Sequence, residues 1–308
     1  MKLKSIALII LLSILVIDLP GQVTDAEKNL RTQSADTIQG WKKGGVLSIN
    51  LAQTSLTNWA AGGMNSVAVN GLLSCFANLR KGKSAWDNSL DLGYGVLKQG
   101  QNSHSRKTDD KIEFVSKYGR QAFSNFYYAA LLNFRTQMRP GLNYPDFTHK
   151  ISDLFAPAYL LTALGLDYKP NQHFSAFISP FTSKITIVND ETLSDAGAFG
   201  VSPGKKTLSE FGGYLRAIYT KNDFKSDFMK NVSFTTKIDL FSNYLKNPQN
   251  IVVNWETLIA MKVNKYISAS LNTQLIYDDK IKSVSNGVTG GPKVQFKEIL
   301  GVGFSYKF

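Results

Sequence analysis

The chain has almost no cysteine. Cys75 is the one thiol in 308 residues, so no intramolecular disulfide framework exists, and a lone thiol of this kind reads as a small apolar side chain on a strand. Histidine is nearly as scarce, confined to His104, His149 and His173, and no His/Cys spacing that would hold a metal occurs. After the first twenty residues or so there is no second long apolar run, which excludes a helical membrane protein although 43% of residues are hydrophobic. There is no Arg-rich helix and no nucleic-acid module. The net charge of +12 is instead scattered, in turns such as Arg80-Lys81-Gly82-Lys83 and Lys205-Lys206. Such turns read as solvated loops, or as contacts to anionic headgroups and lipopolysaccharide, and not as a nucleic-acid surface. Gly301-Val302-Gly303 lacks the helix that a phosphate-binding glycine loop requires.

What the chain has instead is alternation. From Leu300 onward, Leu300, Val302, Phe304, Tyr306 and Phe308 alternate with Gly301, Gly303, Ser305 and Lys307. One face of such a strand meets hydrocarbon or a core and the other meets water. The same pattern predicts about twelve strands, near 44–53, 65–79, 85–98, 109–119, 124–138, 156–169, 173–187, 207–221, 229–245, 250–264, 266–278 and 293–308. Each is long enough to cross a bilayer when tilted, which takes ~9–11 residues. Pro180 cannot donate to a ladder, so a bulge or an early strand end is expected there.

Connections alternate between short and long, the habit of an up-and-down barrel with short periplasmic turns and long external loops. The link at Lys246–Gln249 is the exception, short where a long loop is due. A soluble sandwich or lipocalin-like barrel would turn these apolar faces inward and need a very large dry core. A lipid-facing barrel needs none. The fold class expected is therefore all-β: a transmembrane antiparallel up-and-down β-barrel of about 12 strands, spanning 44–308.

The amino-terminal end fits export. Met1-Lys2-Leu3-Lys4 is a basic head, an apolar run follows to Leu19, and Pro20-Gly21-Gln22 breaks it. The run is short for a membrane helix and reads as a cleaved signal peptide over 1–21. A polar periplasmic lead-in follows over 22–43. The closing aromatic strand looks like that of a bacterial outer-membrane barrel, so the localisation expected is the outer membrane. Phe308 is then the expected assembly signal for the barrel-assembly machinery.

Candidate lumen-lining residues fall on the polar faces: Asp91, Glu113, Arg135, Asp167, Glu210, Arg216, Lys237, Asp239, Glu256 and Lys262. Asp87, Lys111, Lys117 and Asp278 share this placement. Both signs are present, so the wall either lines a narrow aqueous channel or pairs across a closed lumen; at about twelve strands both are open. Enzymatic chemistry has little to stand on. His104, between Ser103 and Ser105, lies in a polar loop with no rigid base for a hydrolase. Asn189, Asp190, Glu191 and Asp195 could clasp calcium but read more simply as a solvated acidic loop. The expectation is a monomeric, non-enzymatic barrel with no cofactor, passing a small solute or lipid, or else a closed structural or binding barrel that offers its loops to a partner.

The densest motif is Asn58-Trp59-Ala60-Ala61-Gly62-Gly63 followed by Asn65-Ser66. With a Trp-containing first strand before it, it resembles an uncharacterised family of Bacteroidota outer-membrane barrel proteins, a domain of unknown function. The resemblance covers Trp41 to Phe308 and implies a barrel, with no activity or substrate. Physically, Gly62-Gly63 permits a tight turn and close backbone approach. Trp59 then either anchors the loop at the interface or folds into the lumen as a constriction.

Overall fold

The structure, a computed structural model, describes residues 39–57, 64–100, 104–171, 173–227, 229–264, 267–285 and 288–307. Among these residues the strands are β1 (Gly40–Thr54), β2 (Ser66–Lys81), β3 (Ser84–Gln99), β4 (Arg106–Phe123), β5 (Phe126–Thr136), β6 (Gly141–Leu142), β7 (Lys150–Ser152), β8 (Ala158–Tyr168), β9 (Phe174–Ile187), β10 (Thr207–Lys221), β11 (Val232–Asn243), β12 (Ile251–Lys262), β13 (Ile267–Tyr277), β14 (Lys282–Ser285), β15 (Val288–Pro292) and β16 (Gln295–Lys307). One short helix, α1, spans Glu191–Asp195. Twelve strands close into a single ring in the order β1-β16-β13-β12-β11-β10-β9-β8-β5-β4-β3-β2, and every neighbouring pair is antiparallel. The expected up-and-down barrel is what forms. The first strand begins at Gly40, four residues before the Gly44 expected from the alternation.

The barrel is inverted relative to a water-soluble protein. Leu300, Phe304, Phe181 and Tyr128 point outward and are 63% to 70% exposed, while the carboxylate of Glu113 points inward and Glu113 is 1% exposed. Outward polar groups satisfy one another, as a hydrocarbon environment demands. Trp86 Nε1 donates to Ser116 Oγ at 2.9 Å, and Ser116 Oγ donates to Asn88 Oδ1 at 2.8 Å. Trp255 Nε1 donates to Thr236 Oγ1 at 2.7 Å on the other side. With barrel strands of eleven to eighteen residues, the wall spans a bilayer. This is a transmembrane β-barrel.

Pro180 sits at a bulge, as expected. On β8 the register jumps from Leu164 opposite Phe181 to Leu166 opposite Ile178. On β10 it jumps from Gly212 opposite Thr182 to Tyr214 opposite Ser179. Pro180 therefore donates to neither ladder. Ser179 Oγ donates to the Leu164 carbonyl at 2.7 Å and Thr182 Oγ1 donates to Ser179 Oγ at 2.9 Å, tying the bulge down. The extra residue resets the phase: Phe177 and Ser179 face inward below it, Thr182, Lys184 and Thr186 above it.

At the end opposite the tight turns, the long connections carry structure that alternation does not predict. Strands β6 and β7 form a small hairpin, and β14 and β15 another. Ala156, Val188, Leu193 and Val201 from two of these connections pack into a separate apolar cluster capping the barrel. Asp190 accepts from the Leu193 amide as N-cap of α1 and from Lys150 Nζ at 2.6 Å, and Lys150 also holds Asp153 at 2.7 Å. The acidic segment considered for calcium is thus occupied in part by capping and pairing with Lys150.

Candidate functional site

Alternation sends Lys111 and Glu113 of β4, Arg135 of β5, Arg216 of β10, Lys237 of β11 and Glu256 of β12 into the lumen. Strands β4 and β12 lie opposite each other in the ring. Lys111 Nζ nonetheless reaches Glu256 Oε1 at 3.2 Å and Glu113 Oε2 at 2.8 Å. Lys237 Nζ, from the far wall, returns to Glu256 at 3.2 Å and Glu113 at 3.5 Å. Arg135 pairs with Glu113 at 3.0 Å and Arg216 Nε with Asp239 at 2.9 Å. Tyr214 Oη donates to Asp239 Oδ1 at 2.5 Å, joining Asp239 to the same layer. These side chains form a charged partition across the barrel at mid-height. Buried ions of this kind are tolerable because each meets an opposite charge.

Two further ion-pair groups lie along the lumen. Near the short turns, Asp87 meets Arg80 at 2.7 Å and Lys169 at 3.3 Å, and Asp167 meets Lys117 at 2.7 Å. Near the cap, Lys184 meets Glu210 and Asp278, each at 3.4 Å, and Lys280 meets Glu210 at 2.8 Å. Lys169 and Lys280 lie just outside the strands, and their ammonium groups are held above the usual lysine range. Burial opposes this, and the carboxylates, Asp87 and Asp167 for Lys169, Glu210 and Asp278 for Lys280, outweigh it.

The partition separates two cavities. The lower, about 130 Å³, is lined by Ser74, Asp91 and Lys117 among others, and there Ser74 donates to Asp91 in a close contact. The upper, about 430 Å³, lies beneath the cap. Its wall departs from the uniformly polar lumen expected from sequence. Leu161, Tyr214, Phe241 and Val252 line it together, part of an inward apolar cluster that also holds Leu131, Ala163 and Phe177. Lys184 Nζ stands 5.3 Å from the Phe241 ring and 5.6 Å from that of Tyr159, a geometry that favours a cation over an aromatic face.

The lumen candidates divide accordingly. Glu113, Arg135, Arg216, Lys237, Asp239 and Glu256 meet in the partition, Asp167 belongs to the group near the turns and Glu210 to the group near the cap. Asp91 lines the lower cavity. Lys262 ends β12 at the turn side, away from all three groups. Lys184, Tyr159 and Tyr214 escaped the sequence reading; the phase reset at Pro180 hid Lys184, and the two aromatics sit where charge was sought. In the loop motif, Asn58, Trp59, Gly62 and Gly63 lie outside the described residues, as does Phe308. Asn65 ties two loops together: its side chain accepts from the Leu56 amide at 2.6 Å, and its carbonyl from the Gly100 amide at 2.8 Å.

The fold defines a membrane-spanning barrel, and charged side chains from opposite walls meet across its lumen at mid-height. The family model of a protein of unknown function (DUF3078) matches residues 51–142, from the end of β1 through β6. No curated protein sequence matches the chain. Among solved structures, the COG4313 outer membrane channel from Pseudomonas putida F1 is similar with a TM-score of 0.40 and 9% identity, over 89% of this chain and 97% of that one. The translocator domain of autotransporter NalP from Neisseria meningitidis is similar with a TM-score of 0.37 and 9% identity, over 92% of this chain and 93% of that one. Likeness at this level carries no activity across to this chain.

Proposed function

We propose that this chain is a non-enzymatic outer-membrane barrel, closed to free diffusion in the state seen here, that holds a small ligand in its upper cavity. The observation that supports this reading is the Lys111–Glu256 contact at 3.2 Å between opposite walls, in the same layer as Lys237, Arg135, Arg216 and Glu113. A standing-open channel would keep water, not paired side chains, at that height. In this reading residues 1–21 are a cleaved signal peptide and the protein is a monomer among outer-membrane lipid and lipopolysaccharide. Phe308 is offered to the barrel-assembly machinery, and the Asn58–Gly63 motif marks kinship with Bacteroidota barrels.

The test is planar-bilayer conductance of refolded protein. The wild type should be silent. Replacing the layer with small side chains (Lys111→Ser, Glu113→Ser, Lys237→Ser and Glu256→Ser together, which leaves net charge unchanged) should produce current. Steady current from the wild type would remove the closed-barrel reading and restore the narrow channel.

A further inference from the structure

The seam where the barrel closes is zipped over only half its height. Val46–Asn50 of β1 pair with Gly303–Lys307 of β16, five residue pairs, whereas every other adjacent pair in the ring holds ten or more. Continuing the register would set Leu51–Thr54 against 299–302. Both segments are strand, and both are paired on their far sides, to β2 and to β13. Among the described residues no ladder joins them to each other. The barrel wall therefore carries a wedge that opens toward the cap, with its apex at Asn50 and Gly303. The Asn50 side chain lies over the apex on the inside, where a Cβ at Gly301 would stand 2.9 Å from Asn50 Nδ2. Backbone groups left unpaired in hydrocarbon are costly, so an open wedge marks a place where something other than a strand meets the edge.

The wedge has an apolar outside and leads to a mixed inside. Leu51, Leu300 and Val302 border it on the lipid face, each more than half exposed. Behind it, Gln274, Ile276, Gln295 and Lys297 form the seam-side wall of the upper cavity. The opposite wall is the aromatic and aliphatic surface of Tyr159, Leu161, Tyr214, Phe241 and Val252, and the charged partition is the floor. At about 430 Å³ the cavity sits toward the small end of ligand pockets, which run ~300–1,000 Å³. It has room for one hydrocarbon chain and not for a two-chain lipid. Of the cavity's cations, Lys297 is the most accessible, its side chain 37% exposed and, among the described residues, paired with Asp109 alone at 2.9 Å. Lys184 is 9% exposed and shared by two carboxylates. Lys297 can exchange its partner for an incoming anion at little cost; Lys184 cannot.

We infer that the upper cavity is a binding site for a single-chain anionic amphiphile, admitted from the outer leaflet through the unzipped half of the β1–β16 seam, with its head at Lys297. The inference rests on the lumen being shut below the cavity, since an open pore would leave the site without a floor. Binding needs no movement of the partition, so the two readings fail separately.

The probe is dansyl-undecanoate, supplied in phospholipid vesicles that carry the refolded protein, with dansyl emission read against protein-free vesicles. Wild type should bind saturably. Leu161→Trp and, as a second variant, Val252→Trp fill the cavity and should weaken binding by about tenfold or more, because a close-packed interior leaves no room for both an indole and a chain. Lys297→Met should weaken binding of the carboxylate but not of dansyl-undecanol. For the route, Gln53→Cys and Leu300→Cys in a Cys75→Ser background are bridged with a short bis-maleimide. Bridging should slow uptake from the bilayer and leave uptake before bridging unchanged. Equal signals from wild type and both tryptophan variants, each shown folded by its heat-dependent gel mobility, would overturn the site. Uptake at the same rate with and without the bridge would overturn the route. Conductance recorded on the same wild-type preparation keeps either failure apart from failure of the closed-barrel reading.

Discussion

Lys111 on β4 and Glu256 on β12 leave opposite walls of the barrel and meet 3.2 Å apart, Nζ to Oε1. Glu256 also accepts from Gln274 Nε2 at 3.2 Å, and Lys237 lies at the same distance from its other oxygen. A single carboxylate thus joins strands from both halves of the ring. The partition is a brace across the lumen.

The brace should be costly to break on one side. Glu113→Gln removes the carboxylate shared by Lys111, Arg135, Arg216 and Lys237. That leaves buried cations short of a partner, a loss of about 3–5 kcal/mol. Urea unfolding in lipid, followed by loss of the heat-modifiable gel band, measures it. A change within experimental error would mean that water, not Glu113, compensates these cations.

The facing of β13 gives a paired test. Leu271 stands in an outward row between Ile259 and Leu300, so Leu271→Arg should destabilise the folded barrel by ~2–4 kcal/mol if it lies near the midplane. Gln274 faces inward and donates to Asn254 and Glu256. Gln274→Arg should cost much less, because an arginine there can pair with Glu256. Equal costs would show the strand to be buried on both faces.

The bulge at Pro180 depends on a missing side chain. A Cβ at Gly165 would collide with the Ile178 carbonyl, whereas a Cβ at Gly71 would meet only the Tyr94 carbonyl, at 3.9 Å. Gly165→Ala should therefore cost about 1–3 kcal/mol through overpacking. Gly71→Ala should be close to neutral in the same unfolding assay. Similar effects at both sites would separate the bulge from any requirement for glycine.

The cap should loosen in acid. Lys150, and then the Leu193 amide, donate to Asp190 and hold its carboxyl below the ordinary value. A carboxyl whose folded value is depressed contributes stability that is complete above its unfolded value, ~3.9, and is lost as pH falls through the folded value. Hydrogen exchange at Ser194 and Ala196, corrected for intrinsic rates, should thus be constant near neutrality and rise only below about pH 4. Asp190→Asn should show raised exchange at neutral pH and no further acid step.

The sequence was enough to read the barrel itself. Side chains alternate with period two, and a wall with lipid outside and polar groups inside prints that period directly onto residues such as Ile267, Ala269, Leu271 and Thr273 of β13. Turn spacing then orders the strands, since antiparallel neighbours need only short links. Even the bulge was legible, because proline lacks a donor. The cap was not: Ala156 from one loop meets Val188, Leu193 and Val201 from another, without periodicity.

Alternation alone could assign Lys111, Glu113, Lys237 and Glu256 to the inward face, because that is a local property of each strand. It could not say whether they lined a passage or filled it. That depends on how the ring closes, on which strands come to lie opposite and on how far long side chains reach across the gap. The half-zipped seam is decided in the same way. Nothing local to Leu51–Thr54 or to 299–302 distinguishes them from paired strand, and only the meeting of the first strand with the last shows where their ladder stops.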